Sequence, residues 1–434
     1  MIRTRKATQN RAFSGLRLLQ GILLMTFLQS MLFDSVQRGL IDTFSPGKKE
    51  YKSQLYFSRD GNRIDINPIG SQTNSTESPL SLILEAINMV AKNEQASDGE
   101  GRVTITDGGI TKAIVTTTER GKIRQILPHV IPSSKALRRD DITLLTHLSP
   151  SRLSKLTLQV EWWPGPISAA IVVTNENEAN ILIDFVKTNQ AILRMTSFHV
   201  LVEANVDPNS YPYNVLRNVA MREAKTDYVL AVDVDFVAEG YQRLVRLVRE
   251  NDKVKEALHS MRLLVIPAFE NTELGAKRNA IPQSKADIVK MVDGDLVAPF
   301  QLKKWPPGHK PTNFTKYYQN DADIFYDIEY RFDFEPYVLA YRHGLPRYWN
   351  DFRSYFYNKC SYFIEAHLMG YKFSVLRDFY VFHMGQSGKS TGIDLPPPEE
   401  QAKNWKFHEY LSSSYGVPLS GKVVQLIPER EVLK

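Results

Sequence analysis

Between Asp141 and Ile266, short apolar runs rich in β-branched residues alternate with stretches of helical periodicity, and that alternation leaves few folds open. Strands are expected at Ile142–Thr146, Ile167–Val173, Phe198–Val202, Tyr228–Val232 and Leu263–Ile266. Between them, Ser149-Pro150 starts a helix running to about Val160, followed by helices at Glu178–Lys187, Tyr213–Ala224 and, long and charged, about Glu239 to His259. This pattern predicts an α/β domain, a mostly parallel sheet flanked by helices. The run Tyr228–Val232 matters most because it leads straight into Asp233-Val234-Asp235. Ligands of open α/β sheets collect at the carboxyl ends of strands, so both carboxylates are expected at the mouth of the crevice. Two hard oxygen ligands there suit Mg²⁺ or Mn²⁺, bound jointly with substrate phosphates. The bland alternative is a solvated acidic turn, and Asp-x-Asp by itself does not separate the two. No G-x-G-x-x-G loop and no full G-x-x-x-x-G-K-[ST] loop occurs, so a nucleotide held here needs a metal to manage its phosphates.

Charge argues against a nucleic-acid partner. Of 54 Lys and Arg residues, five (Arg3, Arg5, Lys6, Arg11 and Arg17) precede the first acid, Asp34, which leaves 49 against 48 acidic residues in the remainder. A nucleic-acid surface needs positive charge clustered on the folded domain. The five cations precede an uncharged run, Leu18–Phe33, interrupted by Gln20 and Gln29. As a helix it spans about 24 Å against roughly 30 Å of hydrocarbon. A signal anchor with the basic end inside, a cleaved signal peptide and a mitochondrial presequence all fit, and the lack of a small-x-small site after Phe33 favours the anchor. The expected organisation is a cytoplasmic tail at 1–17, a membrane segment at 18–33, a stem with a small accessory fold at 34–140 and a catalytic domain at 141–434. Within the stem, Ser71–Ser78 reads as a linker, Pro79–Lys92 as a helix, and Arg102–Thr106 with Ile110–Thr117 as a hairpin around Asp107-Gly108-Gly109. Asn74-Ser75-Thr76 and Asn313-Phe314-Thr315 match the glycosylation sequon, and Cys360, the only cysteine, excludes a disulfide within the chain.

Past Pro267 the chain turns irregular and aromatic. Trp305–Phe314 and Phe332–Tyr337 read as rigid Pro-containing loops without regular secondary structure, the kind of segment on which binding groups commonly sit. A helix is expected over Asn358–Met369, a strand over Tyr371–Phe382 that delivers His383, and a helical tail from Glu399 to about Tyr415-Gly416.

In order along the chain stand Leu144-Leu145-Thr146, Trp163-Pro164-Gly165-Pro166-Ile167-Ser168, Tyr211-Pro212-Tyr213-Asn214-Val215-Leu216-Arg217-Asn218-Val219-Ala220 and Asp233-Val234-Asp235-Phe236. Then come Val265-Ile266-Pro267-Ala268-Phe269-Glu270, Gly308-His309-Lys310-Pro311-Thr312-Asn313-Phe314, Asp333-Phe334-Glu335-Pro336-Tyr337-Val338, Asn358-Lys359 and His383-Met384. Through these blocks the region from Asp141 to Gly416 resembles the LARGE-type glucuronyltransferases, the second catalytic domain of LARGE and its relative β-1,4-glucuronyltransferase. The resemblance implies a GT-A-type nucleotide-sugar-binding fold in a single-pass type II Golgi membrane protein with its catalytic domain lumenal. It implies inverting transfer of a sugar, glucuronic acid among the donors, from a UDP-sugar to a glycan on protein or lipid. A homodimer is compatible with it.

The resemblance also assigns roles. Asp233, Asp235 and His383 would hold Mn²⁺, with Mg²⁺ as second choice, since Mn²⁺ tolerates mixed imidazole and carboxylate ligation. Arg217, Asn218, Asn358 and Lys359 would contact the donor, where a guanidinium fork suits a phosphate or a uronate. Inversion needs a general base, for which Glu335 and Asp333 are the candidates and Glu365 a third. The chain departs from the family's Gly-aromatic-Gly-Trp run at Ser354-Tyr355-Phe356-Tyr357, and from its second histidine at Gly385-Gln386. These departures keep xylose, galactose and N-acetylglucosamine open as donor sugars, and a catalytically silent glycan-binding homologue as the reading from another class.

Overall fold

A computed structural model describes residues 78–92, 102–107, 110–117, 123–191, 193–203, 211–353, 357–385 and 398–416. The expected tail, membrane segment, linker and first sequon lie outside these residues, as do 354–356. Among the described residues no helix is long and apolar enough to cross a membrane. Packing divides the chain into a main unit, Leu55–Phe407, and a smaller one made of Met1–Gln54 and His408–Lys434. Of the smaller unit only 408–416, the end of the helix Pro398–Tyr415, is described.

Among the described residues the main unit carries fifteen strands: β1 (Arg102–Asp107), β2 (Ile110–Thr117), β3 (Ile123–Ile131), β4 (Ile142–Leu148), β5 (Ile167–Val173), β6 (Thr196–Glu203), β7 (Tyr228–Ala231), β8 (Phe236–Ala238), β9 (Arg262–Ile266), β10 (Ala268–Asn271), β11 (Val297–Pro299), β12 (Phe325–Ile328), β13 (Tyr337–Tyr341), β14 (Lys372–Leu376) and β15 (Val381–His383). Eleven form one sheet in the order β1-β2-β3-β6-β5-β4-β7-β13-β9-β14-β12, and four form a second in the order β11-β10-β15-β8. The parallel heart β6-β5-β4-β7 matches the expected alternation. β4, β5 and β6 are buried along their whole length, as strands covered on both faces must be. Successive residues feed two apolar layers. Leu144, Ile171 and Leu230 join the layer with Leu156 and Leu244, while Leu145, Val172 and Val229 join Val215 and Val219 of the helix Tyr213–Glu223.

Four expectations give way. The large sheet is mixed rather than mostly parallel, because six of its ten pairings run antiparallel. The strands before residue 140 extend this sheet instead of forming an accessory fold, since β3 pairs with β6 from Arg124↔Glu203 to Ile131↔Phe198. The helix Pro79–Lys92 packs on β3 and β6. The long charged helix is two, Tyr241–Glu250 and Asp252–His259, broken at Asn251, whose side chain accepts from the Val254 N–H and caps the second. Trp305–Phe314 contains short helical turns, Pro306–His309 and Lys310–Thr312, with Pro in the first turn where its missing N–H costs nothing.

Candidate active site

Asp233 stands just past β7, where the Val232 N–H still donates to the Leu145 carbonyl (2.9 Å), so the carboxylates do sit at the carboxyl ends of the parallel strands. The turn between them is pinned from below by the fully buried Gln159. Its amide nitrogen donates to the carbonyls of Asp233 (3.2 Å) and Phe236 (2.9 Å). From that turn β8 leaves for the small sheet, and its register with β15 sets His383 opposite Phe236. The Met384 N–H then donates to the Asp235 carbonyl (2.8 Å), and His383 Nε2 comes to 3.8 Å from Asp235 Oδ2. Two side chains 148 positions apart thus meet because one strand pair fixes both. The expected single strand over Tyr371–Phe382 is two, β14 in the large sheet and β15 in the small one, and the crossing between them carries His383 over.

One strand that the sequence reading lacks, β13, completes the site. It runs antiparallel between β7 and β9, so its first residue lies at the same sheet edge as Asp233. Tyr337 OH donates to Asp233 Oδ2 (2.9 Å), and Lys359 Nζ reaches the same oxygen at 2.6 Å while lying over the Tyr337 ring. On the other oxygen, Arg217 Nη2 donates at 3.2 Å and His147 Nε2 stands at 3.6 Å. Burial works against the Asp233 charge, but Lys359, His147 and Arg217 outweigh it and hold the carboxyl well below the usual range. Asp235 is likewise held low, burial being outweighed by His383 and Arg152.

Arg217 and Asn218 share a helix but differ in use. Arg217, 8% exposed, donates through Nη1 to Asn214 Oδ1 and Asn358 Oδ1, both at 3.0 Å, between the rings of Tyr213 and Tyr348. Asn218 turns to the loop instead, bonding the Tyr348 carbonyl, the Tyr348 N–H and Asn350. That differs from the donor contact the resemblance implies, because the amide is committed to backbone. Buried Asn214 ties the set together, donating to the carbonyls of Trp349 (2.8 Å) and Asn358 (2.9 Å). Asn214→Ala removes these two bonds and the acceptor of a buried guanidinium N–H, and is expected to lower unfolding free energy by about 3 kcal/mol in urea titration.

The candidate bases lie just before β13. Asp333 takes a left-handed backbone (φ 61°), which Asp tolerates better than most residues. Burial, then the neighbouring Glu335, push its pKa up to about 7. A carboxyl raised in the fold keeps its proton while the unfolded chain loses its own near pH 4, so stability falls as pH rises from about 4 to 7. Asp333→Asn is therefore expected to stabilise the protein by about 2 kcal/mol at pH 8 and by almost nothing at pH 4, read from melting at the two pH values. Glu335 is anchored by its N–H on the Gly308 carbonyl (3.0 Å) and accepts from the Cys360 thiol at 2.9 Å. Glu365 is buried on the helix Cys360–Leu368.

The donor set fits a divalent cation in part. His383 Nδ1 is buried without a hydrogen-bond partner, and a Cβ on Gly385 would fall 2.6 Å from the imidazole, so the chain leaves room for that ring alone. Two oxygens and an imidazole are a fair set for Mn²⁺. Asp233, however, already has both lone pairs of Oδ2 engaged by Lys359 and Tyr337. Among the described residues the three-member group with ligand atoms gathered within 4.8 Å is a different one, His129, His199 and Glu223. It does not suit a metal. His199 Nδ1 accepts from the His129 backbone N–H, and its Nε2 must donate to Ser168 Oγ, whose own proton goes to the Ala220 carbonyl. No lone pair remains on that ring.

Residue reading missed Tyr337, His147 and Gln159. His147 follows the strand residue Thr146 directly, a position at the sheet's ligand edge that could have marked it.

A family model described as "Glycosyl-transferase for dystroglycan" matches residues 202–414. The mouse xylosyl- and glucuronyltransferase LARGE2 is 32% identical over 297 residues, covering 67% of this chain and 41% of that protein. Human LARGE1 is 31% identical over 246 residues, covering 56% of this chain and 31% of its own. The chain thus spans less than half the length of these relatives. Among solved structures, S. aureus TarS 1–349 in complex with UDP-GlcNAc aligns with TM-score 0.35 and 13% identity over 65% of this chain and 69% of that one, a likeness too distant to argue from.

Proposed function

We propose, for a chain that belongs over residues 202–414 to the LARGE-type glycosyltransferases, that the crevice at Asp233–Asp235 transfers a sugar from a UDP-sugar to a glycan hydroxyl with the help of a divalent cation. The observation that carries this reading is the meeting of Asp235 and His383 at 3.8 Å beside two largely buried cations, Arg217 and Lys359. Asp235 and His383 would hold the cation, and Asp233 would join them as Lys359 withdraws. A cation so placed neutralises the charge that builds on UDP as its bond to the sugar breaks. Lys359 Nζ, freed from Asp233, is a point charge for the same diphosphate. Arg217 keeps its bonds to Asn214 and Asn358 and raises the local potential without moving.

In an inverting transfer the acceptor oxygen bonds to the anomeric carbon on the face opposite UDP, the carbon–oxygen bond to UDP breaks with its electron pair leaving on the phosphate, and the acceptor proton passes to a carboxylate. Glu335 takes that proton. The loop before β13 brings it to the crevice, with only Pro336 between it and Tyr337, whose hydroxyl touches Asp233. Glucuronic acid stands first among donors, ahead of xylose, galactose and N-acetylglucosamine, with acceptors on protein or lipid glycans. We place the enzyme in the Golgi membrane, held by residues 18–33 with the crevice lumenal.

The test is a panel of these UDP-sugars given to the purified full chain with Mn²⁺ or with EDTA. One donor is expected to be hydrolysed slowly alone, transferred in the presence of acceptor, and spared in EDTA. Turnover indifferent to EDTA would leave the phosphates to Arg217 and Lys359. A chain that neither turns over nor binds UDP would be a silent glycan-binding homologue.

A further inference from the structure

The helix Cys360–Leu368 begins against the loop that carries Asp333 and Glu335. Its first residue, Cys360, is 4% exposed and aims Sγ at Glu335 Oε1, 2.9 Å away, with the Asp333 carboxyl within electrostatic reach. The Tyr330 hydroxyl, buried and without a hydrogen-bond partner, lies within electrostatic reach of all three. Tyr357 lies within reach of Asp333 and Cys360. Glu335 is therefore held at two points, its N–H on Gly308 and its Oε1 on the thiol. Among the described residues Oε2 carries no hydrogen bond.

We propose that Cys360 is a positioning residue: its S–H orients Glu335 so that Oε2 meets the acceptor hydroxyl, while leaving the carboxylate basic. This role rests on the transferase reading above. The choice of thiol is the point. A hydroxyl or amide donor would hold the carboxylate firmly but stabilise its charge, and so weaken it as a base. A thiol is a weak donor, so it orients while taking little basicity away. Burial and the two carboxylates push the thiol well above its ordinary range, which keeps it as S–H, the form that donates. The same burial and anionic surroundings disfavour the thiolate and make this cysteine a poor nucleophile.

The experiment compares wild type, Cys360→Ala and Cys360→Ser in the full chain, with kcat, donor KM, melting temperature and the pH profile of kcat. Cys360→Ala is expected to lower kcat about tenfold with donor KM unchanged, because a carboxylate free to swing is misplaced by a fraction of an ångström to an ångström. Cys360→Ser is expected to recover most of that kcat, with the acid limb of the profile moved to lower pH by its stronger hydrogen bond. Wild-type kcat and an unmoved acid limb in both variants would overturn the role. So would a fall in kcat that only follows a fall in melting temperature in both, with no change in pH profile. A wild type that turns over no donor would overturn the transferase reading and this role together, whereas an active wild type with unaltered variants overturns this role alone.

Discussion

Asp235→Asn is expected to reduce transfer about a thousandfold, on the order of 4 kcal/mol of transition-state stabilisation, while the protein melts at nearly its wild-type temperature. The substitution keeps the shape of the side chain and removes the charge that faces His383 across 3.8 Å. Little else depends on that carboxylate. Its side chain is 25% exposed, and its one charged hydrogen bond is to Arg152, itself half exposed. The loss is therefore expected in metal affinity, seen directly as weakened Mn²⁺ binding by electron paramagnetic resonance titration, and in UDP affinity measured with Mn²⁺ present. His383→Ala should lose as much activity. It should also melt somewhat lower, because its ring packs between Phe236 and Phe300 at centroid distances of 4.9 and 5.2 Å. Full activity in Asp235→Asn would remove the cation from this crevice.

Glu335→Gln is the second large effect, a fall in transfer of about 10²- to 10⁴-fold with UDP binding unchanged. Gln fills the same space and still accepts from the Cys360 thiol, but it takes no proton from an acceptor. In the proposed reading donor binding rests on Arg217, Lys359 and the cation ligands, none of which bonds Glu335. The two variants are thus separable by calorimetry: Asp235→Asn loses metal-dependent UDP affinity and Glu335→Gln keeps it. Unchanged transfer in Glu335→Gln would pass the proton to Asp333, whose raised pKa near 7 already suits a base working at neutral pH.

How much of this was legible beforehand follows the physics of each element. β4, β5 and β6 are long and buried on both faces, so their apolar runs stand out in any reading. β13 does not, because its five residues follow Pro336 and a polar, aromatic loop, and nothing local says that a gap between β7 and β9 waits for them. The small sheet escaped because its strands have three or four residues, below the length at which periodicity carries information. The carboxylate pair was readable from its place after β7. Tyr337 was not, since its role comes from pairing with strands far away in the chain. Asn218 shows the converse: a residue next to a functional one in sequence points a hundred degrees around the helix and serves the loop instead.

That late strand has a consequence for the chain as it is made. When Ile266 leaves the ribosome, β7 and β9 are complete, yet each presents the edge that β13 will cover, and about seventy more residues must emerge before Tyr337–Tyr341 can bridge them. Until then two apolar strands stand with open backbone edges, an invitation to neighbouring nascent chains. A product terminated anywhere before residue 337 should be captured by chaperones or precipitate, however intact its first half of the sheet.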